Sequence, residues 1–333
     1  MMLKENTISH LRGEKNLLAF SGGVDSTALF FLLHDAKVDF DIVIVDYGLR
    51  LQSKEEVSYA KELANKYNCQ LHIHQAPKIT TNFEAQARKI RYDFFNILIK
   101  QHSYKNLLTA HHLGDRLEWM LMQFVKGAGC AELSSMKSIE KHNTFNLVRP
   151  LLEVDKQELQ TYLDAKNIKY FIDESNANQD IKRNYFRHTY SEPLLQKYKD
   201  GIKKSFQYID DDATALIQEV QIHKIQDFAY FKSHNKRSDI YTIDKYLKSC
   251  NLMISAKERD LLKIHNVLIV GRKYILNWHL DFVFIAPYDA KSVTMSHNFK
   301  EKMRLLKIEP KLRPYFFTSL DVFESLEGTV PLQ

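Results

Sequence analysis

The sequence predicts an α/β fold, with a doubly wound, mostly parallel sheet, a helical extension and a small α+β C-terminal domain. Two patterns carry this prediction. Short apolar runs alternate with longer amphipathic runs over residues 16–126, and after about residue 207 closely spaced apolar runs are joined by turn residues. A chain of 333 residues is long enough for more than one hydrophobic core.

Four apolar runs of strand length alternate with four helical stretches in the first part of the chain. The predicted strands are NLLAF (16–20), FDIVIVD (40–46), QLHIHQA (70–76) and NLLTAHH (106–112), and the predicted helices lie near 26–35, 54–67, 83–101 and 114–126. Such apolar strands, each followed by a helix, are typical of a parallel sheet covered on both faces. Ligands of such sheets bind beyond the carboxyl ends of the strands.

The predicted domains cover residues 1–150, 151–207 and 208–333. Pro150 interrupts the first region, and a second helical region follows over about 155–208. For the third region we predict a helix over YIDDDATALIQEVQIHKIQ (208–226), a capping box formed by Ser255 and Glu258, and a hairpin at Gly271-Arg272.

Composition and charge narrow the class of protein. Hydrophobic residues make up 44% and charged residues 26%, as in an ordinary globular protein. The net charge of +6 permits a polyanionic partner. The three cysteines lack a Cys-x-x-Cys pair, so we predict neither a disulfide framework nor a cysteine-built metal site. Without a signal-peptide pattern or a run of ~18 apolar residues, we expect a cytoplasmic protein that does not span a membrane.

A glycine-rich segment joins the first predicted strand to the first helix. It consists of Ser21, Gly22, Gly23, Val24, Asp25 and Ser26. Its glycines let an anion approach the backbone, and the unpaired amides at a helix start attract negative charge. The lysine-bearing loop Gly-x4-Gly-Lys-Ser/Thr, whose lysine serves the β–γ phosphate bond, is absent from the sequence. This suggests cleavage elsewhere on a nucleotide, whereas an N-capped helix after a tight turn is the structural alternative.

The segment SGGVDS resembles the PP-loop of the N-type ATP pyrophosphatases. The resemblance implies an adenine nucleotide alpha-hydrolase-like, Rossmann-like fold and ATP as co-substrate. It also implies cleavage between the α and β phosphates, with transfer of AMP to an oxygen and release of pyrophosphate. Many ligases and thiolation enzymes share this fold, so the loop leaves the acceptor open.

Further stretches in the same order narrow the resemblance. They are VDYGLR (45–50), EAQARKIRY (84–92), AHHLGDRLEWMLMQFVKGAG (110–129) and RPLLEVDKQELQTYL with DESNANQDIKRNYFR (149–187). Together with the loop they resemble the tRNA(Ile)-lysidine synthetase family over about residues 15–190. That family joins free lysine to the wobble cytidine of the CAU-anticodon isoleucine tRNA, which changes its reading from AUG to AUA and its charging from methionine to isoleucine.

Asp115 and Glu118 are candidates for binding the lysine substrate. At positions i and i+3 of a predicted helix they share one face, just beyond a strand end. Holding an amine of pKa ~10.4 neutral near pH 7 costs ~4–5 kcal/mol, so we expect a carboxylate that binds the ammonium and helps remove its proton. The resemblance assigns this role to Asp115 and Glu118, and magnesium or ammonium binding to Asp25. The alternative for the pair is a first turn of acids that stabilises the helix dipole.

Two pairs of arginines are candidates for contact with tRNA or phosphate. Arg88 and Arg91 follow Glu84 at helical spacing, which by itself also fits a solvated ion-pair stripe. Arg183 and Arg187 flank two aromatic residues, as expected for phosphate contact and base stacking, although an exposed helix face has the same composition.

The chain departs from the family pattern near both motifs. The departures are Asp46-Tyr47 for the usual Asn-His, Gly114, Arg116 and Trp119 in the usual Asp-Asp-Gln-x-Glu-Thr, and Tyr185-Phe186 in the usual Arg-Asn-Arg-Ile-Arg. Two other functions are compatible with parts of the sequence. A tRNA 2-thiolation enzyme would need a persulfide cysteine or an iron–sulfur cluster, and an inactive RNA-binding adaptor would not need the acids. The C-terminal domain is where we expect isoleucine tRNA to be distinguished from methionine tRNA.

Overall fold

A computed structural model describes residues 2–48, 51–134, 136–142, 144–172, 181–290 and 293–332. The predicted motif residues 49–50 and 173–180 lie outside these ranges. The chain divides into two compact units, one ending at Ile209 and one beginning at Asp210.

The first unit is built from parallel strands and their connecting helices. In chain order its elements are α1 (Glu5–Leu11), β1 (Asn16–Ala19), α2 (Val24–Asp35), β2 (Asp41–Asp46), α3 (Leu51–Tyr67), β3 (Leu71–Gln75), α4 (Phe83–His102), β4 (Asn106–Leu108), α5 (Leu113–Phe124), α6 (Cys130–Leu133), β5 (Ile139–Lys141), β6 (Asn146–Val148), α7 (Lys156–Ala165), α8 (Lys182–Phe186), a π-helical turn (Arg187–Ser191) and α9 (Glu192–Leu216), which continues past the division.

The six strands form one sheet in the order β3-β2-β1-β4-β6-β5, in which only the β5–β6 pairing is antiparallel. The four predicted strands and the helices after them are confirmed. Strands β5 and β6 were not predicted, because three residues are too few for a recognisable period. The winding direction reverses between β1 and β4, so the carboxyl ends of these two strands mark the switch point where a ligand is expected.

Alternate residues of each parallel strand enter different cores. Leu18 and Leu108 pack with α2 on one face, whereas Leu17 and Leu107 pack against Phe95 of α4 on the other. This alternation follows from the period of two in an extended strand, and it explains why the strands are apolar throughout.

The second unit is an antiparallel sheet with helices on both faces. Its elements are β7 (His223–Ile225), β8 (Phe228–Lys232), α10 (Lys236–Ser249), α11 (Ala256–Ile264), β9 (Val267–Val270), β10 (Tyr274–His279), β11 (Phe282–Pro287), α12 (His297–Leu305), α13 (Arg313–Thr318) and α14 (Leu320–Glu327). The strand order is β7-β8-β11-β10-β9. Phe228 and Phe284 pack with α12–α14, and the adjacent Ala229 and Val283 pack with α10 and α11.

Three local predictions for this unit can be compared with the structure. The hairpin is confirmed, because Gly271 and Arg272 both have φ +55° between β9 and β10, as a type I′ turn requires. The capping box of Ser255 and Glu258 is confirmed at the start of α11. The prediction of a helix through residues 208–226 was wrong beyond Leu216, because the segment after it pairs with β8 as strand β7.

Candidate active site

The loop after β1 is shaped to present backbone amides to an anion. Gly22 has φ +76°, and Gly23 is the N-cap of α2 without a capping side chain among the described residues. Ser26 Oγ accepts a hydrogen bond from Ser21 N at 3.2 Å and lies 3.1 Å from Ser21 Oγ. The two serines therefore hold the loop closed on itself while the first amides of α2 stay uncapped, which is the arrangement that binds phosphate.

Phe171 braces this loop from a distant part of the sequence. Its backbone N donates to Gly22 O at 2.9 Å, and its ring fills the space beside Gly22. The positive φ of Gly22 favours glycine, and a Cβ there would lie 3.1 Å from Phe171 Cδ2, so the ring would have to shift to admit a side chain.

Asp25 lies in the first turn of α2 and carries an unused acceptor. Its Oδ1 atom and the neighbouring Thr27 Oγ1 are buried without a hydrogen-bond partner in the described part of the chain. Its Oδ2 atom lies 3.8 Å from His112 Nε2. Burial raises the pKa of Asp25 against the opposing influence of His112 and Lys156. Buried groups of this kind are rare in folded proteins and are commonly satisfied by a ligand or an ion.

The carboxyl end of β4 brings Asp115 and Glu118 to the same place. Helix α5 begins just after His112, whose backbone N donates to Asp115 Oδ2 at 3.0 Å. Asp115 is 8% exposed and Glu118 is 1% exposed. Two carboxylates this deeply buried require compensating positive charge.

That charge comes from Arg183 and Arg187. Arg183 donates to Asp115 Oδ1 at 2.5 Å and to Glu118 Oε2 at 3.0 Å, and Arg187 donates to Glu118 Oε1 at 2.6 Å. Arg187 also contacts Asp115 Oδ1 at 3.5 Å. The structure thus joins two predicted acids and two predicted arginines into one ion cluster, which we call the acid–arginine cluster.

The charges in this cluster stabilise one another. Burial alone would raise the pKa of Asp115, but His112 and Arg183 outweigh it and hold that pKa well below its usual range. Burial also works against the charge of both arginines, yet the two carboxylates raise the pKa of Arg183 and of Arg187. Asp115 is therefore ionised throughout the physiological pH range.

The π-helical turn that follows α8 starts at Arg187 and is tied to the start of α5. Ser191 Oγ donates to Gly114 O at 3.3 Å. Single π turns often occur at functional sites, because the extra residue turns side chains out of α-helical register.

Arg88 and Arg91 lie on α4, outside the acid–arginine cluster. The Arg88 guanidinium lies 4.5 Å from the centre of the Tyr92 ring. Burial raises the pKa of the Tyr47 hydroxyl, and Arg91 opposes this shift. Arg88 is still close enough to the site to affect His111. Burial, with Arg88 among the lesser causes, lowers the pKa of His111 to about 4.

Two of the departures from the family pattern have structural roles. Tyr47 donates to Ala87 O at 3.0 Å and ties the end of β2 to α4. Arg116 is buried with its guanidinium 4.2 Å from the centre of the Phe206 ring, which packs α5 against α9. Sequence reasoning did not foresee these contacts or the bracing role of Phe171, because each depends on residues far apart in the chain.

The fold and this site define a class of protein: a PP-loop protein, with an uncapped phosphate loop at the switch point of a parallel sheet. A family model described as the PP-loop domain matches residues 3–194. The U34-tRNA thiolase NcsA from Methanococcus maripaludis has a similar structure, with a TM-score of 0.52 at 16% identity over 66% of this chain and 78% of that one. At this identity the likeness shows the fold alone.

Three relatives that match most of the chain identify the family within this class. Each is a tRNA(Ile)-lysidine synthase. The relative from Helicobacter pylori strain J99 is 42% identical over 94% of this chain and 92% of its own length. Those from Campylobacter jejuni strain RM1221 and Wolinella succinogenes are 39% and 41% identical over 95% and 92% of this chain, and over 97% and 94% of their own lengths. This chain belongs to the tRNA(Ile)-lysidine synthase family, whose members are ATP-dependent ligases.

Proposed function

We propose that this protein adenylates the wobble cytidine of the CAU-anticodon isoleucine tRNA with ATP and ligates free lysine to C2 of that base. Lysidine, AMP and pyrophosphate are the products. The modified anticodon then reads AUA instead of AUG, and the tRNA is charged with isoleucine instead of methionine. Family membership supports the assignment of tRNA as a substrate, and the buried carboxylates at the switch point support the assignment of lysine as the other.

The balance of charge in the site is the main observation in favour of lysine as the second substrate. His112 lies within 4 Å of two carboxylates, those of Asp25 and Asp115. The guanidinium groups of Arg183 and Arg187 contact Asp115 and Glu118 directly, so the site holds three carboxylates against two guanidinium groups. A substrate ammonium would supply one further positive charge. The unpartnered Asp25 Oδ1 would supply an acceptor for it.

Binding of lysine at Asp115 and Glu118 requires one arginine to move. All four oxygens of these two carboxylates already face His112 or an arginine. The Arg183 side chain is 38% exposed and that of Arg187 is 12% exposed, so Arg183 is the group that the incoming ammonium would displace. The released Arg183 would then contact a phosphate of the tRNA or of ATP, and the carboxylates would bind the ammonium and help remove its proton.

The PP-loop would hold the departing pyrophosphate. The uncapped amides of α2 and the glycines of the loop favour a phosphate group. Since the loop has no lysine for the β–γ bond, the geometry is suited to cleavage between the α and β phosphates.

The residues present fit a magnesium ion that ATP brings with it. No group of three or more His, Cys, Asp or Glu side chains in the described ranges could hold a metal by itself. Magnesium commonly binds one or two carboxylates together with substrate phosphates, and Asp25 offers a buried carboxylate oxygen without a protein partner. Bound there, the ion would neutralise phosphate charge.

The remaining parts of the chain would bind the tRNA. Arg88 and Arg91 on α4 would contact its phosphates, and the region 208–333 would distinguish isoleucine tRNA from methionine tRNA. No helix of the described residues is both long and apolar enough to cross a membrane. We expect the reaction to take place in the cytoplasm.

A direct assay tests this proposal. Purified protein is incubated with magnesium, ATP, radiolabelled lysine and unmodified isoleucine tRNA. The expected products are lysine in acid-insoluble tRNA, AMP and pyrophosphate, in equal amounts. Methionine tRNA is the negative control. Absence of lysine transfer in the complete reaction would refute the proposal.

A cysteine variant separates ligation from thiolation. Cys130 begins α6, and its Sγ donates to Ile209 O at 3.6 Å. Cys130→Ser should therefore transfer lysine at the wild-type rate, whereas an enzyme that needs this thiol for sulfur transfer would lose its activity.

A further inference from the structure

The imidazole of His112 lies between the two aspartates of the site. Its Nε2 atom is 3.8 Å from Asp25 Oδ2 and 3.6 Å from Asp115 Oδ2. Its Nδ1 atom accepts a hydrogen bond from Gly114 N at 3.0 Å and so caps the start of α5. The residue is 4% exposed, which restricts the ring to this position.

The capping bond determines which ring nitrogen carries the proton. An imidazole nitrogen that accepts from a backbone N–H has its lone pair free, so the proton of the neutral ring is on the other nitrogen. In His112 the proton is therefore on Nε2, which faces both aspartates. A donor at this point reduces the repulsion between the two like charges.

Gly114 makes this arrangement possible. A Cβ at position 114 would lie 2.7 Å from His112 Cε1 and 3.0 Å from His112 Nδ1. The ring could not occupy this position beside any larger residue. The resembled family usually has aspartate at this position. Glycine at position 114 therefore leaves the space that the His112 ring occupies in this chain.

The two contacts of Nε2 leave a defined set of acceptors for a ligand. Asp25 Oδ2 and Asp115 Oδ2 both face the imidazole, whereas Asp25 Oδ1 has no partner in the described part of the chain. The attraction between the Nε2–H group and Asp25 Oδ2, 3.8 Å apart, favours the orientation of the Asp25 carboxylate in which Oδ1 is the unpartnered oxygen.

We propose that His112 is a positioning residue for the amino-acid substrate, which holds Asp25 and Asp115 so that both can contact one ammonium group. The inference rests on the proposed function, since it assigns lysine to these carboxylates. It predicts that the Nε2–H donor affects lysine binding, whereas the Nδ1 acceptor affects the stability of α5.

Two substitutions separate these effects. Asparagine is a good N-cap residue, so His112→Asn keeps an acceptor for Gly114 N but loses the donor between the aspartates. Glutamine is longer and places an amide N–H near the position of Nε2, so His112→Gln keeps a donor but not the cap. The measurements are KM for lysine, KM for tRNA and the unfolding temperature of the full chain.

We expect His112→Asn to raise KM for lysine about tenfold, the effect of one lost polar contact to a charged group, with KM for tRNA and the unfolding temperature near the wild-type values. We expect His112→Gln to unfold at a lower temperature with a smaller change in KM for lysine. An unchanged KM for lysine in His112→Asn would overturn the inference. So would a rise in KM that follows the loss of stability in both variants, because a purely structural role predicts that. If the wild-type protein transfers no lysine, the proposed function fails instead.

Discussion

The two edges of the parallel sheet both bury polar side chains, but only one edge satisfies them. At the amino edge, the first residues of β1, β4 and β6 are Asn16, Asn106 and Asn146. Asn106 donates to Asn16 Oδ1 at 2.8 Å and Asn146 donates to Asn106 Oδ1 at 3.1 Å. Asn16 in turn donates to three backbone carbonyls. At the carboxyl edge, Asp25 Oδ1 and Thr27 Oγ1 are buried without a partner among the described residues.

This difference teaches how to tell a structural polar cluster from a binding site. A buried polar group whose hydrogen bonds are complete stabilises the fold, whereas an incomplete one costs free energy until a ligand satisfies it. The asparagine row should therefore matter for stability and the carboxylates for catalysis. Substitutions at the two edges can break or sharpen this distinction.

The largest effect is expected for Asp25→Asn. We expect lysine transfer to tRNA to fall about 1,000-fold, the usual scale for losing a charged group that acts on the reacting atoms. Stability should be unchanged or higher at pH 7, because the raised pKa of Asp25 means that folding disfavours its ionised form. Transfer rates and urea unfolding at pH 7 give both quantities.

Asp35→Asn is the matched control, since Asp35 is an acid at the opposite, exposed end of the same helix, where it pairs with Lys166. It should keep full activity. An Asp25→Asn protein that is active, or one that has lost both activity and stability, would contradict the distinction.

A somewhat smaller effect is expected for Asp115→Asn. We expect kcat/KM for lysine to fall about 100-fold, because truncating one partner of a buried charge pair typically costs 2–5 kcal/mol. Affinity for tRNA, measured by filter binding, should remain near the wild-type value. An equal loss of tRNA binding and lysine use would indicate a folding role for Asp115.

At the amino edge, Asn106→Leu should lower stability without altering the chemistry. The substitution leaves Asn16 Oδ1 without its donor and removes the shorter of the two hydrogen bonds of Asn146 Nδ2, so we expect the free energy of unfolding to fall by about 2 kcal/mol. Denaturant unfolding measures this loss. KM for lysine and for ATP at a temperature where the variant is folded should be unchanged, and a rise in either would mean that the amino edge also serves the site.

The smallest effect concerns the pH dependence of stability. The folded-state pKa of His111 is about 4, below the ordinary value of 6.5, so between these values the unfolded chain binds a proton that the folded chain does not. The free energy of unfolding should fall as the pH is lowered from about 6.5 toward 4. His111→Asn should reduce that fall by about 1–2 kcal/mol, as measured by urea unfolding at pH 7 and pH 4.5. An equal fall in the free energy of unfolding for the two proteins between pH 7 and pH 4.5 would refute this contribution of His111.

Much of the fold and part of the site could be predicted because their signals are local. The apolar runs at β1 to β4, the segment Ser21–Ser26 and the turn at Gly271-Arg272 are read from residues within a few positions of one another. Period and turn chemistry depend on backbone geometry that neighbouring residues control. The same locality caused the error after Leu216, where pairing with β8 overrides the helical pattern.

The sequence by itself determined the phosphate loop, the parallel sheet and the identity of the acids and arginines at the site. Only the tertiary structure decided that Arg183 and Arg187 neutralise Asp115 and Glu118, 65 to 72 residues away. It also decided that His112 faces two aspartates. The physical reason is that a buried charge must be paired with an opposite charge, and the folded chain can supply that partner from any distance along the sequence. Sequence spacing therefore does not show which residues will pair.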